Sequence, residues 1–351
     1  MAKVILVGRG LAAACLMHRF HAAGIEFRVI GKKEMSSCSR VAAGIWNPLV
    51  FKRLTKSWMA DALIPELLDF YGCCEKEAGK SLMTQRQILR SFQEEQEEKL
   101  WLAKSKNELD DYLDPEIYTE GAAPRNLKCG RFGRVLQAGN LDVPAFLDYT
   151  DAKFRDQISD EEFFYDDLKV DTLHCRYQEQ EVAAVVFCEG WLISKNPFFN
   201  WVPFKPAKGE LLTMRLQQLS LEKTISSKAS FLFETQPQEF RSGATYEWTD
   251  LNETPTDRAR EELLRKLSSH TDEQPEILRH AAGIRPATID RRPVLGHHPL
   301  YKQLWVFNGL GTKGVMLAPY FSNKFVLFYK QNVRPDSEID LRRFYHLYGK
   351  T

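Results

Sequence analysis

The segment Val4-Ile5-Leu6-Val7-Gly8-Arg9-Gly10-Leu11-Ala12-Ala13 joins a short apolar run to a turn built from two glycines and a small residue. Four consecutive aliphatic side chains read as a strand buried on both faces, as in a parallel sheet. Helical periodicity follows from Leu11 to Ala23, Gly24 closes it, and Glu26 to Ile30 is a second strand, so residues 3–30 are predicted to form a strand–helix–strand unit. Within that unit the G-x-G-x-x-A spacing has a mechanical meaning. Gly8 permits the tight turn, Gly10 leaves room for a pyrophosphate against the backbone, Leu11 and Ala12 open the helix, and Ala13 lets helix and strand approach. The helix N-terminus would then face the phosphates. One position departs from the pattern. Where an acidic residue would grip ribose hydroxyls stands Gly31, followed by Lys32 and Lys33; Glu34 is the nearby carboxylate that could substitute, with backbone or water as the alternatives.

A chain of 351 residues exceeds what one hydrophobic core usually serves, so two interleaved domains are expected. Residues 1–80, 130–205 and 280–351 are assigned to a discontinuous Rossmann-like α/β nucleotide-binding domain, and residues 81–129 and 206–279 to a mostly antiparallel α+β substrate domain. Helical patterns run from Trp58 to Gly79 and from Glu94 to Lys106. Val185 to Cys188 is a buried strand ending at Glu189-Gly190, where the nucleotide domain resumes. Alternating segments at Glu210 to Leu216, Ser230 to Phe233 and Phe240 to Tyr246 lack intervening helices and fit an antiparallel sheet. Thr254-Pro255, with Asp257, is expected to start a helix that runs to about Ser269. Leu304 to Phe307 is a strand, Asn308 to Gly314 a glycine-rich turn, and Val315 to Tyr329 a helix, which repeats the opening pattern far from the first.

Lys plus Arg (48) nearly balance Asp plus Glu (47), so no global field draws the chain to nucleic acid or to an anionic membrane. The expected ligand is small. No apolar run reaches the roughly 20 residues of a membrane-spanning helix, and a strand begins too early for a signal peptide. The seven cysteines are scattered without zinc or disulfide spacing. Cytoplasmic residence with reduced thiols is the expectation, and no metal site is assigned.

Four further segments specify the cofactor. They are Ser39-Arg40-Val41-Ala42-Ala43-Gly44-Ile45-Trp46-Asn47-Pro48, then Val185 to Gly190, then Gly283-Ile284-Arg285-Pro286 with Asp290 to Gly296, and finally Phe307 to Gly314. Their order and spacing resemble the D-amino-acid oxidase superfamily of flavoproteins, nearest to glycine and sarcosine oxidases and to the flavin domain of the bacterial tRNA wobble-uridine modification enzyme. The resemblance implies FAD, with its ADP half over Gly8 to Ala13. It also implies flavin contacts from Ser39, Arg40, Ala43, Gly44, Ile45 and Gly190, and a wrap around the isoalloxazine by Gly309, Leu310, Gly311, Thr312, Lys313, Gly314, Val315 and Met316. Covalent members attach flavin through a cysteine in this last loop; its absence here implies noncovalent FAD.

The reaction implied is oxidation of the C–N bond of an amino acid or secondary amine by hydride transfer to flavin, with oxygen or another acceptor reoxidising it. The flavin takes the electrons, so no catalytic triad is required. None of His18, His21, His280, His297 and His298 is assigned as a base. What the protein must supply is orientation, and Arg285 matches the arginine that holds a substrate carboxylate, with an ion pair to Asp290 as its structural alternative. Lys313 could sit at the flavin or face solvent. The aromatic wall is assigned to Phe231, Tyr246 or Trp248. Oxidation of a tRNA-borne carboxymethylaminomethyl group and an NAD-dependent dehydrogenase are the rival readings.

Overall fold

The computed structural model describes residues 3–33 and 38–349; Glu34 lies outside them. The opening unit forms as its residues dictate. Val4–Val7 is a strand with all four side chains buried, Leu11–Ala22 is the helix, and Phe27–Ile30 is the second strand. At the turn Gly8 adopts a φ of +107°, and a Cβ there would stand 2.6 Å from the carbonyl oxygen of Cys188. Only glycine lets the two neighbouring strands end this close together.

Among the described residues, Val4–Val7 lies inside a six-stranded sheet ordered Val294–His297, Leu304–Asn308, Ala184–Phe187, Val4–Val7, Phe27–Ile30, Ile158–Ser159. All neighbours run parallel except Val294–His297, which is antiparallel to Leu304–Asn308. The parallel register carries Gly8, Gly31, Cys188 and Gly309 past one edge of the sheet, where α/β folds open a ligand crevice. One face is covered by the Leu11–Ala22 and Gly314–Gln331 helices, which meet through Phe20 and Phe325 with ring centroids 6.0 Å apart. An aromatic layer of Phe163, Tyr177, Phe199 and Trp201 covers the other.

Facing the crevice is an eight-stranded sheet, ordered Glu276–Arg285, Ala207–Arg215, Glu239–Gly243, Phe231–Gln236, Thr224–Ser227, Met83–Ser91, Phe132–Leu141, Ile45–Trp46. It is antiparallel apart from the pairing of Thr224–Ser227 with Met83–Ser91. It joins strands from both sides of the boundary expected at 130, and one of its strands runs through the boundary expected at 280. Phe132–Leu141, assigned to the nucleotide-binding part, pairs along its length with Met83–Ser91, and Glu276–Arg285 spans residue 280. Glycines conceal the Phe132–Leu141 strand from pattern reading. A Cβ at Gly133 would fall 2.3 Å from the Trp101 ring, and one at Gly139 would fall 2.3 Å from the Trp46 ring, so these two positions are filled by neighbours' side chains. The late helix also starts differently from expectation. Asp257–Leu267 is capped by Thr256, whose Oγ1 accepts from the Ala259 N–H at 3.2 Å, while the Thr254 carbonyl accepts from Lys208 Nζ. Among the described residues no helix is long and apolar enough to cross a membrane.

Gly44 leads into the Ile45–Trp46 edge strand of the eight-stranded sheet. Its φ is +74°, it accepts the Leu141 N–H at 3.0 Å, and a Cβ there would stand 1.9 Å from the Leu141 carbonyl oxygen. Gly24 has a similar φ of +66° with nothing within 4 Å of a built Cβ. A left-handed conformation costs a non-glycine residue about 1–3 kcal/mol. Gly24→Ala is therefore expected to lower the calorimetric Tm modestly and Gly44→Ala distinctly more, the difference reporting the backbone collision; equal shifts would contradict that collision.

Candidate active site

The open edge of the parallel sheet and one face of the eight-stranded sheet enclose a cavity of about 800 Å³. That is within the range of sites that enclose cofactors and drug-sized ligands. Its wall contains Gly8, Gly10, Leu11, Ala12, Gly31, Lys32, Ser39, Arg40, Ala43, Gly44, Ile45, Gly190, Leu310, Gly311, Thr312, Lys313, Gly314 and Val315. Three residues expected at the ligand lie behind the wall. Ala13 and Met316 are buried in the core at 0% and 1% exposure. Gly309, with φ +76°, abuts Thr288, Arg292 and Val294, and so shapes the loop from the rear.

Two helices begin at this cavity. Gly10 precedes the Leu11–Ala22 helix in an extended conformation, and Lys313 precedes the Gly314–Gln331 helix; neither start has a side-chain cap or an acidic residue in its first turn. A Cβ on Gly314 would lie 3.3 Å from the Leu11 side chain, so the two starts are adjacent. Two positive dipole ends with no carboxylate of their own favour an anionic ligand between them. Ser39 ties the 38–45 loop to the same point, its Oγ accepting the Leu11 N–H at 3.1 Å. A dinucleotide would fit this arrangement, since Gly8 to Ala12 and Gly311 to Val315 line one cavity.

Carboxylates gather at the Gly31 end. Ile158–Ser159 pairs with Phe27–Ile30, and the residues after it bring Glu161 and Glu162 to the cavity wall beside Gly31. Lys32 pairs with Glu162 at 3.1 Å, Arg28 with Glu161 at 2.7 Å, and the Lys33 N–H donates to Asp160 at 2.7 Å. The sequence pattern expects the acid just past the second strand, but here acids arrive from the neighbouring strand. Glu189, two residues past the Ala184–Phe187 strand and without a role in the sequence analysis, also lines the cavity, accepting from the Tyr165 hydroxyl and, at 2.7 Å, from the Asn196 amide. Burial pushes its carboxyl up to about 7, with those two donors opposing the shift.

A family model described as "DAO: FAD dependent oxidoreductase" matches residues 3–323. The chain belongs to this family. FAD is thus its cofactor, and the NAD-dependent alternative is set aside. A glycine oxidase of Bacillus licheniformis is 33% identical over 118 residues, a segment that spans 33% of this chain and 32% of that protein. The sequence match thus covers about a third of this relative. Glycine oxidase from Geobacillus kaustophilus superposes with a TM-score of 0.78 at 20% identity, over 98% of this chain and 97% of that one. L-alpha-glycerophosphate oxidase from Mycoplasma pneumoniae, with FAD bound, superposes with a TM-score of 0.73 at 10% identity, covering 97% and 98%. The DAO fold therefore carries more than one substrate chemistry, and the substrate has to be argued from the site.

The far end of the cavity is apolar, with Phe51, Ile88, Leu211, Ile225 and Phe231 in its wall. Arg285 stands beside it. Its guanidinium donates to the carbonyls of Lys208 and Thr245, each at 3.3 Å, and lies 4.4 Å from the centroid of the Tyr246 ring. Among the described residues it forms no ion pair: Asp290, the expected rival partner, is held by Arg343 at 2.8 Å. Tyr246 lines the cavity and stacks on Trp248, which lies outside the wall. Lys313 turns inward, its Nζ bonded to the Ser57 hydroxyl. Burial lowers it from the usual lysine range to about 8. No histidine lines the cavity among the described residues; burial holds His18 down at about 3 and, with His297 nearby, His298 at about 4. The Cys38 thiol does line it, but burial raises it to about 11, so it stays protonated.

The Lys313 shift has a definite sign. A lysine whose pKa falls to about 8 on folding makes the unfolded chain bind the extra proton between pH 8 and the ordinary lysine value, so folding gains stability as pH rises through that window. Lys313→Met should remove that gain. Chemical denaturation of the flavin-free protein at pH 7, 8, 9 and 10 is expected to show wild type gaining on Lys313→Met as pH rises; parallel profiles would mean Lys313 titrates normally.

Proposed function

We propose that this chain oxidises the C–N bond of a small carboxylate-bearing amine, an amino acid or N-substituted glycine, using noncovalently bound FAD. The observation that carries the reading is Arg285: a guanidinium on the cavity wall whose nearby acceptors are neutral carbonyls and an aromatic face. Such a group keeps its full charge for an incoming carboxylate and can grip it with two parallel N–H bonds. Bound FAD supplies the oxidising chemistry by accepting the hydride. Three roles then fall to the protein. Arg285 fixes the carboxylate, which sets the amine-bearing carbon relative to the wall formed by Gly311 to Val315. The apolar residues Phe51, Ile88, Ile225 and Phe231 exclude water around the reacting carbon. Lys313 Nζ, neutral in part near pH 8, can take a proton from the substrate ammonium, since the amine must be neutral to give up hydride.

The absence of cysteine from the Leu310 to Gly314 loop, together with the protonated state of Cys38, supports noncovalent attachment. Seven cysteines with no disulfide among the described residues are consistent with a cytoplasmic setting. Molecular oxygen is the proposed electron acceptor. A near-neutral net charge of +1 provides no field for tRNA, so a free small molecule is the preferred substrate.

The purified protein is expected to be yellow and to release its FAD on acid precipitation; colour retained on the denatured chain would refute noncovalent binding. Anaerobic addition of an amino acid or N-methyl amino acid should bleach the flavin, and air should restore it with formation of hydrogen peroxide. Removing one member of a close charged pair costs roughly 2–5 kcal/mol. Arg285→Ala should therefore lower kcat/KM for the carboxylate substrate by at least about 30-fold with the flavin spectrum unchanged. Arg285→Lys, which keeps charge but not the fork, should recover only part of the loss. If amines without a carboxylate reduce the flavin as fast as amino acids do, the reading fails.

A further inference from the structure

Ala207–Arg215 runs beside Glu276–Arg285 with Ala207 opposite Arg285 and Gly209 opposite Gly283. The Arg285 side chain folds back across its neighbour strand. A Cβ built on Gly209 would stand 1.9 Å from Arg285 Nη2, 2.2 Å from Cζ and 2.4 Å from Nη1, and these are its three nearest atoms. The planar group therefore lies flat on the glycine. Gly209 has no left-handed φ, so its backbone would accept any side chain and only the space demands glycine.

The same strand builds the rim of this slot. Lys208 offers its carbonyl to Arg285, and Lys208 and Glu210 fix the Thr245 side. The Glu210 N–H donates to Thr245 Oγ1 at 3.0 Å, and the Lys208 N–H donates to the Glu247 carbonyl at 2.8 Å. On the opposite face the buried Lys208 ammonium holds the Asn252 side chain at 2.9 Å and the Thr254 carbonyl at 2.7 Å, which anchors the segment that carries Thr245 and Tyr246. The strand thus alternates between a rear face that secures the rim and a front face that is bare at Gly209.

We propose that Gly209 is a positioning residue for substrate recognition: its missing side chain is the slot that holds the Arg285 guanidinium flat and aimed into the cavity. The inference rests on Arg285 being the carboxylate clamp. A methyl group at 209 would lift the fork out of plane, leaving its charge in the cavity but losing the two-point grip.

The test uses FAD-loaded protein and acetate as an unreactive carboxylate, with binding followed by perturbation of the visible flavin band. Gly209→Ala is expected to keep full FAD content, to raise the acetate Kd at least about tenfold, and to raise substrate KM more than it lowers kcat. Arg285→Ala should raise the Kd similarly, and adding Gly209→Ala to it should change the Kd less than about twofold, because the two act through one contact. An unchanged Kd in Gly209→Ala beside a raised Kd in Arg285→Ala overturns the slot alone. An unchanged Kd in Arg285→Ala overturns the clamp and the slot together. Should Gly209→Ala prove unstable, Arg285→Ala in the same chain is expected to restore its Tm, since the displaced atoms belong to that side chain; failure to restore it overturns the proposal.

Discussion

The contact between Leu11 and Gly314 brings two helix starts, remote in sequence, to one point at the open edge of the parallel sheet. Much else in the molecule serves that meeting. Gly8 must be glycine for the first strand to end against Cys188, and the strand order places Leu304–Asn308 close enough for its helix to pack along the first. Neither helix start has an acidic residue in its first turn or a side-chain cap. Apart from the Leu11 N–H, which Ser39 Oγ accepts, N–H groups left open toward a cavity are costly for a protein alone and favourable once an anion arrives, so the fold anticipates a charged cofactor.

Charge is distributed unevenly along the cavity. Arg9 is paired with Asp151 and Asp160, and Arg40 with Asp148 and Asp151, so the cations near the first turn are largely neutralised. Glu161, Glu162 and Glu189 lie at that same end. At the opposite end the hydrogen bonds and ring contact of Arg285 among the described residues are to carbonyls and the Tyr246 ring. A dinucleotide and an anionic substrate would thus be separated by electrostatics as well as by shape, and a carboxylate would find its uncompensated cation at the apolar end.

Much of this is legible in the residues. The first strand–turn–helix unit, the strand ending at Phe187, the antiparallel segments after Ala207 and the final helix all follow from local periodicity and glycine spacing, because each buries its own apolar run. Met83–Ser91 and Phe132–Leu141 are not. The first mixes polar and apolar residues, with Arg86 buried between Asn140 and two carbonyls, and the second contains glycines whose space is taken by Trp46 and Trp101. Such strands are defined by their neighbours, which a local pattern does not contain. The same limit applies at the site. Arg285 and Lys313 are candidates from their motifs, yet the inward turn of Lys313 onto Ser57 and the engagement of Asp290 by Arg343 depend on contacts between distant segments. Gly209 carries no motif at all.

The meeting of Leu11 with Gly314 also has a consequence for how the protein is made. A ribosome adds roughly 5–20 residues per second, so about 15–60 seconds separate emergence of the first helix start from that of the second. During that interval the nascent chain has one wall of the cavity and lacks the other. Both walls of the cavity exist only once the Gly314–Gln331 segment has emerged, and until then the apolar stripe of the first helix that Phe325 will cover has to be shielded by something other than its native partner.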